Sequence, residues 1–141
     1  MASNLASIIG TIADTLAAVD GVGSTHTWPA DVEKWAEDMA QSTEYMPAVH
    51  ISAEDGEVGR YTDGAYIETT RIVVNVLYIG QATTTADLIA LRDSIISAME
   101  GDQTLGGYAD SVSWIGWQMI GQQENTTRFS VAFDVTHTWE A

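Results

Sequence analysis

The run RFSVAFDVTHTW, Arg128 to Trp139, alternates between two kinds of side chain along its whole length. Phe129, Val131, Phe133, Val135, His137 and Trp139 fall on one face, and Ser130, Ala132, Asp134, Thr136 and Thr138 on the other. Successive strand residues point to opposite sides of a sheet, so this period of two describes a strand with one face buried and the other in contact with water. A chain that contains such a strand must also supply something to cover its apolar face.

Two amphipathic helices meet that need. In SNLASIIGTIADTLAAVDG, Leu5, Ile8, Ile9, Ile12, Leu16 and Val19 recur at steps of mainly three and four, with Ser3 or Asn4 as N-cap and Gly21 as the stop. In TTTADLIALRDSIISAMEG, Leu88, Leu91, Ile95 and Met99 form a second stripe, with Thr84 or Thr85 as cap and Gly101 as the end. A shorter helix is expected in the Trp28 to Gln41 stretch, where Pro29 suits a first turn, Asp31 and Glu33 favour its positive end, and Val32, Trp35, Ala36 and Met39 share a face. AVHIS after Pro47 reads as a short strand, and AYIETTRIVVNVLYI, Ala65 to Ile79, as one long strand with room for a bulge. Between them AEDGEVGRYTDG has no periodicity and two glycine-centred turns, so an exposed loop or flexible hairpin tip is expected. GVGSTHT, around His26, reads as loop. The last two strands, Ala109 to Ile120 and Arg128 to Trp139, form a hairpin through GQQENTT. The order α-α-β-β-α-β-β predicts one α+β domain over residues 1–141, with helices on one face of a four-stranded, mostly antiparallel sheet.

Charge removes several function classes. Twenty acidic residues face five basic ones, a net charge of −15, and Lys34 is the lone lysine. Half of the acids lie between Asp31 and Glu68. Phosphate backbones are held by clustered cations, whereas Arg60, Arg71, Arg92 and Arg128 are scattered, so nucleic-acid binding is not expected. A solvated face, or adaptation to high salt, accounts for most of the acids. The chain has no cysteine, which excludes disulfides, thiolate metal sites and a thiol nucleophile. No apolar run is long enough to span a membrane and no signal-peptide pattern opens the chain, so a soluble protein made in a cytoplasm is expected.

The search for catalytic chemistry finds no HExxH, GxSxG or phosphate-binding glycine loop. His50 and His137 lie on strands and read as structural. EDGE, Glu54 to Glu57, is a fragment of a calcium loop without the ligands that would complete it. Gly106 and Gly107 follow a helix and precede a strand, the reverse of a phosphate cradle, and are expected to give a positive-φ turn. No enzymatic activity, cofactor or metal is expected.

The unusual stretch is SVSWIGWQMIG. With simple alternation, Val112 and Trp114 occupy one pleat face and Ile115, Trp117 and Met119 the other, so both faces carry bulk. Either the Trp28 to Gln41 helix covers the second face or a neighbouring subunit does, since aromatics and Met are enriched in interface cores.

Taken in order, the helix ending in AAVDGV, the strand PAVHIS, the long strand RIVVNVLYIG, the helix running into LGG and the alternating RFSVAFDVTHTW resemble the tail terminator proteins of long-tailed bacteriophages and related tailed viruses. The resemblance covers nearly the whole chain, apart from PADVEKWAEDMAQ and the tryptophans. It implies a structural virion subunit at the head–tail junction. Its hexameric ring would cap the tail tube, end polymerisation and join the tail to the neck. The implied partners are other copies of the chain, the major tail tube protein and a neck or connector protein, with DNA passing through unbound and no membrane involved. Trp114, Ile115, Trp117, Met119, Tyr61 and Tyr66 are then candidate subunit or tube contacts, and Glu54, Asp55, Glu57 and Asp63 a candidate acidic lumen or loop. The competing readings are another head–tail joining protein, or a small oligomeric ligand-binding module.

Overall fold

The computed structural model describes residues 3–40, 46–62, 64–79, 84–123 and 126–140. Its elements run α1 (Leu5–Ala17), β1 (Ser24–His26), α2 (Val32–Met39), β2 (Ala48–Thr62), β3 (Ala65–Ile79), α3 (Thr85–Gly101), β4 (Ser111–Gln123) and β5 (Thr126–Glu140). The strands form one mixed sheet in the order β1-β2-β3-β5-β4. The α+β class is as expected; the strand count and order are not.

The expected loop around His26 contains β1, which runs parallel to β2 with Ser24, Thr25 and His26 beside Ala48, Val49 and His50. Gly23 N donates to Pro47 O at 2.8 Å, which draws this short segment alongside β2. Three residues are too few to show a period, so the strand is invisible in the sequence. The expected loop after Ser52 is also strand: β2 continues to Thr62, paired with β3 through two register shifts, between Ala53 and Asp55 and between Arg60 and Thr62. Both of its faces are exposed, so it needs no apolar alternation; cross-strand hydrogen bonds to β3 hold it instead.

β3 and β5 pair without a break, from Ala65 opposite Glu140 to Ile79 opposite Thr126. Ile72, Val74 and Val76 of β3 and Phe129, Val131, Phe133 and Val135 of β5 point to one face, where α1 contributes Ile8, Ile12 and Leu16 and α3 contributes Leu88, Leu91, Ile95 and Met99. That is the main core. α1 begins after Asn4, whose side chain makes no capping bond; Ser3 Oγ accepts from Leu5 N at 3.1 Å instead. Ser3 Oγ also donates to Glu68 Oε1 at 3.0 Å, and the same oxygen lies 2.7 Å from Nε2 of the buried His137, tying the helix start to the sheet. α3 opens with a capping box between Thr84 and Asp87. It leads into a turn in which Gly106 and Gly107 adopt φ of 72° and 95°, as expected from their sequence position.

α2 corrects the expectation of helices on one face. It starts after Asp31, whose carboxylate accepts from Glu33 N at 2.9 Å and Lys34 N at 3.4 Å, so Pro29 lies outside the helix. Its Trp35 is buried with Ala48 and Leu77. Those two strand residues alternate with Val49 and Val76 of the main core, so α2 packs on the opposite face of the sheet. Parallel pairing puts His26 next to His50, and Trp35 lies over both, at ring-centroid distances of 6.0 Å and 5.0 Å. His50 Nε2 donates to Pro29 O at 2.7 Å, and Arg128 Nη1 reaches Glu33 Oε2 at 2.9 Å, so both contacts hold the N-terminal end of the α2 segment.

Burial lowers the pKa of His50, partly offset by its hydrogen bond to Pro29, and burial together with the nearby His50 lowers that of His26. The unfolded chain therefore takes up protons first as pH falls through the ordinary value near 6.5, and the fold loses stability with falling pH until the lowered folded-state values are reached. The urea midpoint measured at about pH 5.5 is expected to lie below that at about pH 7.5, with much of the difference removed by replacing His26 and His50 with Asn and Gln. Phe133→Ala, at the centre of the main core, is expected to cost about 3–5 kcal/mol in the same measurement.

Candidate functional site

β4 is an edge strand, paired with β5 on one side only. Its register departs from simple alternation at two places, between Trp114 and Gly116 and between Met119 and Gly121, so Ile115 and Ile120 are extra residues. The first shift overturns the expected division of faces. Val112, Trp114, Trp117 and Met119 stand opposite Val135, Phe133, Val131 and Phe129, which all point toward α1 and α3. One extra residue has moved Trp117 and Met119 onto the face that holds Trp114.

The shared face does not make them core. Val112 is buried, its N–H bonded to Gln103 Oε1 at 3.1 Å, but farther along the strand the side chains are only partly covered, with Trp117 and Met119 bordering an open pocket beside Leu88, Ile89 and Arg92 of α3. Trp114 is 43% exposed, Ile115 48%, Trp117 44%, Met119 39% and Ile120 43%. α2 reaches only Ile120 and leaves it exposed, so of the two alternatives for the second face, burial by the Trp28 to Gln41 helix is not what the fold shows. Trp117 packs edge-on to Phe129, with centroids 6.4 Å apart, and Arg92 of α3 lies 5.0 Å from its ring centre. Ile120 lies toward the other face, in an apolar groove with Ala36, Ala40, Leu77 and Ile79. From Ser111 to Gln123 no residue carries an ionisable side chain. The patch is thus a continuous uncharged apolar border on an otherwise strongly acidic molecule.

The other sequence-derived candidates fall elsewhere. Tyr66 stands opposite Trp139 and its ring lies 4.8 Å away, so much of it is engaged within the sheet. Tyr61 belongs to β2, and Asp63 lies outside the described residues. Glu54, Asp55 and Glu57 are exposed on the long β2 arm, far along the sheet from the β4 patch. Asp55 and Glu57 pair in register with Arg71 and Thr69, on the face opposite α1 and α3. There they line a shallow depression with Asp134, whose Oδ1 accepts from Arg71 Nε at 3.1 Å. Glu54, Asp55 and Glu57 therefore lie apart from the aromatics of β4, toward the other edge of the same sheet, and Tyr61 and Tyr66 belong neither to the β4 patch nor to its border.

Among the described residues no three His, Asp or Glu side chains come close enough to hold a metal ion, and no helix is long and apolar enough to cross a membrane. The paired histidines 26 and 50 are occupied in packing Trp35. Among the described residues, sequence reasoning missed two exposed aromatics: Tyr108, in the turn before β4, and Trp28, which is 79% exposed beside β1 at the edge of the sheet remote from β4. No protein-family model matches the chain, and no curated protein matches it.

Trp117→Ala separates surface from core. Its half-exposed ring gains only the Phe129 edge contact and the Arg92 cation contact, so the isolated fold is expected to lose about 1–2 kcal/mol in urea unfolding, well short of a fully buried tryptophan.

Proposed function

We propose that the chain is the subunit of a ring that caps the tail tube of a virus, a tail terminator, which ends tube polymerisation and joins the tail to the neck. The observation that carries this reading is the uncharged, apolar edge strand left in solvent by a chain of net charge −15. A monomer with that charge gains nothing from such a border, and an assembly subunit needs one place where like-charged copies approach without repulsion. The sequence order resembling the tail terminators then selects the kind of assembly, a closed ring of six.

The face of the sheet opposite α1 and α3 suits the inside of such a ring. Beyond α2 it carries Asp55, Glu57, Thr69, Arg71, Asp134 and Thr136, a polar surface with acids in excess. A polyanion slides past such a wall because no cluster of cations holds it. The partners are further copies of this chain, the major tail tube protein and a neck or connector protein, with the subunit made in the host cytoplasm and resident at the head–tail junction. The apolar groove between α2 and Ile120 is the one feature that favours the alternative of a small ligand-binding module. That alternative predicts a dimer or monomer whose melting temperature rises with apolar ligands, while a different neck protein would form rings that bind the portal side instead of the tube.

On concentration, or on mixing with the cognate tube protein, the chain is expected to shift from monomer to rings of six in native mass spectrometry. Dimers alone under both conditions would falsify the ring. In rings carrying Asp55→Lys and Glu57→Lys, duplex DNA is expected to be retained at about 50 mM salt and released by about 200 mM, because phosphate contacts release counterions. Parent rings are expected to retain none, and a charge-reversed ring that also retains none would place these carboxylates away from the lumen.

A further inference from the structure

The sheet ends in two edges of unlike chemistry. One is β4, with Trp114, Ile115, Trp117 and Met119 exposed and no ionisable side chain. The other is β2, because β1 pairs only with Ala48, Val49 and His50 and leaves the outer side of β2 without a strand partner from Ser52 onward among the described residues. Both edges present a row of backbone donors and acceptors over a similar length, the feature that makes an edge strand a template for another strand.

Charge decides which edges fit. Pairing β2 with β2 of another copy sets Glu54, Asp55 and Glu57 against their own duplicates, and like charges facing across strands are destabilising. β4 opposes those carboxylates with nothing charged, and it is bordered by two cations: Arg92 over Trp117 on one face and Arg128, opposite Gly121, on the other. Each cation is paired within its own chain, Arg92 with Asp93 and Arg128 with Glu33, so the β4 border is close to neutral and opposes the carboxylates of β2 with no net like charge. The β2 edge also has apolar surface to bury, in Val58 on the strand and Trp28 next to β1. A β4-to-β4 pairing leaves that second edge bare and stops at two chains, whereas joining unlike edges uses both and continues.

We infer that the β4 edge of one copy takes up the β2 edge of the next, extending the sheet across each subunit boundary. The inference rests on the reading of the chain as a self-assembling ring and names the interface that builds it. The exposed halves of two tryptophans, with Ile115 and Met119, supply several hundred Å² on the β4 side, given that a large aromatic side chain carries about 150–250 Å². With the paired backbone added, this approaches the ~800 Å² per partner of a stable interface.

The chain contains no cysteine, so introduced thiols report contacts without background. Gln118→Cys on β4 and Glu57→Cys on β2, which lie on the same face of the sheet, are combined in one chain, treated with a short bismaleimide at the concentration where native mass spectrometry shows association, and resolved on a denaturing gel. The double variant is expected to give a ladder of linked chains reaching the size of the ring, and each single variant to remain one chain. Linked dimers from Gln118→Cys alone would overturn the inference in favour of like-edge pairing. Rings by mass with no ladder, either in this pair or in Ser113→Cys with Glu57→Cys, would overturn it while leaving the ring standing. Monomers by mass at every concentration, with and without tube protein, would remove the ring and the interface together.

Discussion

The uninterrupted pairing of β3 with β5 is the constraint on which the rest of the molecule depends. The two 15-residue strands run opposite each other from end to end without a bulge, while the β2–β3 and β4–β5 pairings on either side each contain two register shifts. A regular central ladder fixes which residues face the helices, since a slip of one residue would turn every core side chain outward. The outer strands tolerate irregularity because less depends on them. Most of β2 beyond Ser52 and most of β4 beyond Val112 contribute nothing to the main core, and it is there that the bulges fall.

How much of this was legible in the sequence follows from how much each segment buries. β3, β5, α1 and α3 each bury an apolar stripe, and a stripe has a period that can be read. β1 is three residues long, and the outer half of β2 is solvated on both faces, so neither leaves a periodic trace. The side on which α2 docks was hidden for a different reason. Trp35 and Met39 announce an apolar face but do not say which side of the sheet it meets; that depends on Ala48 and Leu77 alternating with their core neighbours Val49 and Val76 on the paired strands β2 and β3.

The candidate site was half legible. Its residues stand out by composition, as an aromatic, uncharged strand in an acidic chain, and the structure leaves them exposed. Their arrangement was misread because period-two alternation fails wherever a strand contains an extra residue, and nothing in the local sequence marks Ile115 as one. Once that single residue is allowed for, Trp114, Trp117 and Met119 align along one border. The acids were legible as charges and misplaced as structure, since a strand held by hydrogen bonds alone looks like a loop in any pattern based on hydrophobicity.

The order in which these pairings can form carries a consequence for the chain as it leaves the ribosome. The β2–β3 and β4–β5 hairpins join neighbouring segments and close quickly, but the β3–β5 ladder that unites them spans α3 and β4 and must first pay the entropy of a long loop. Until it closes, two hairpins wait side by side, and one of them shows β4 with no charge and no proline from Ser111 to Gln123. Such a strand in a slow-closing topology is the segment most prone to irreversible association. The twenty carboxylates elsewhere in the chain act in that interval as well, keeping half-folded molecules apart until the helices have somewhere to dock.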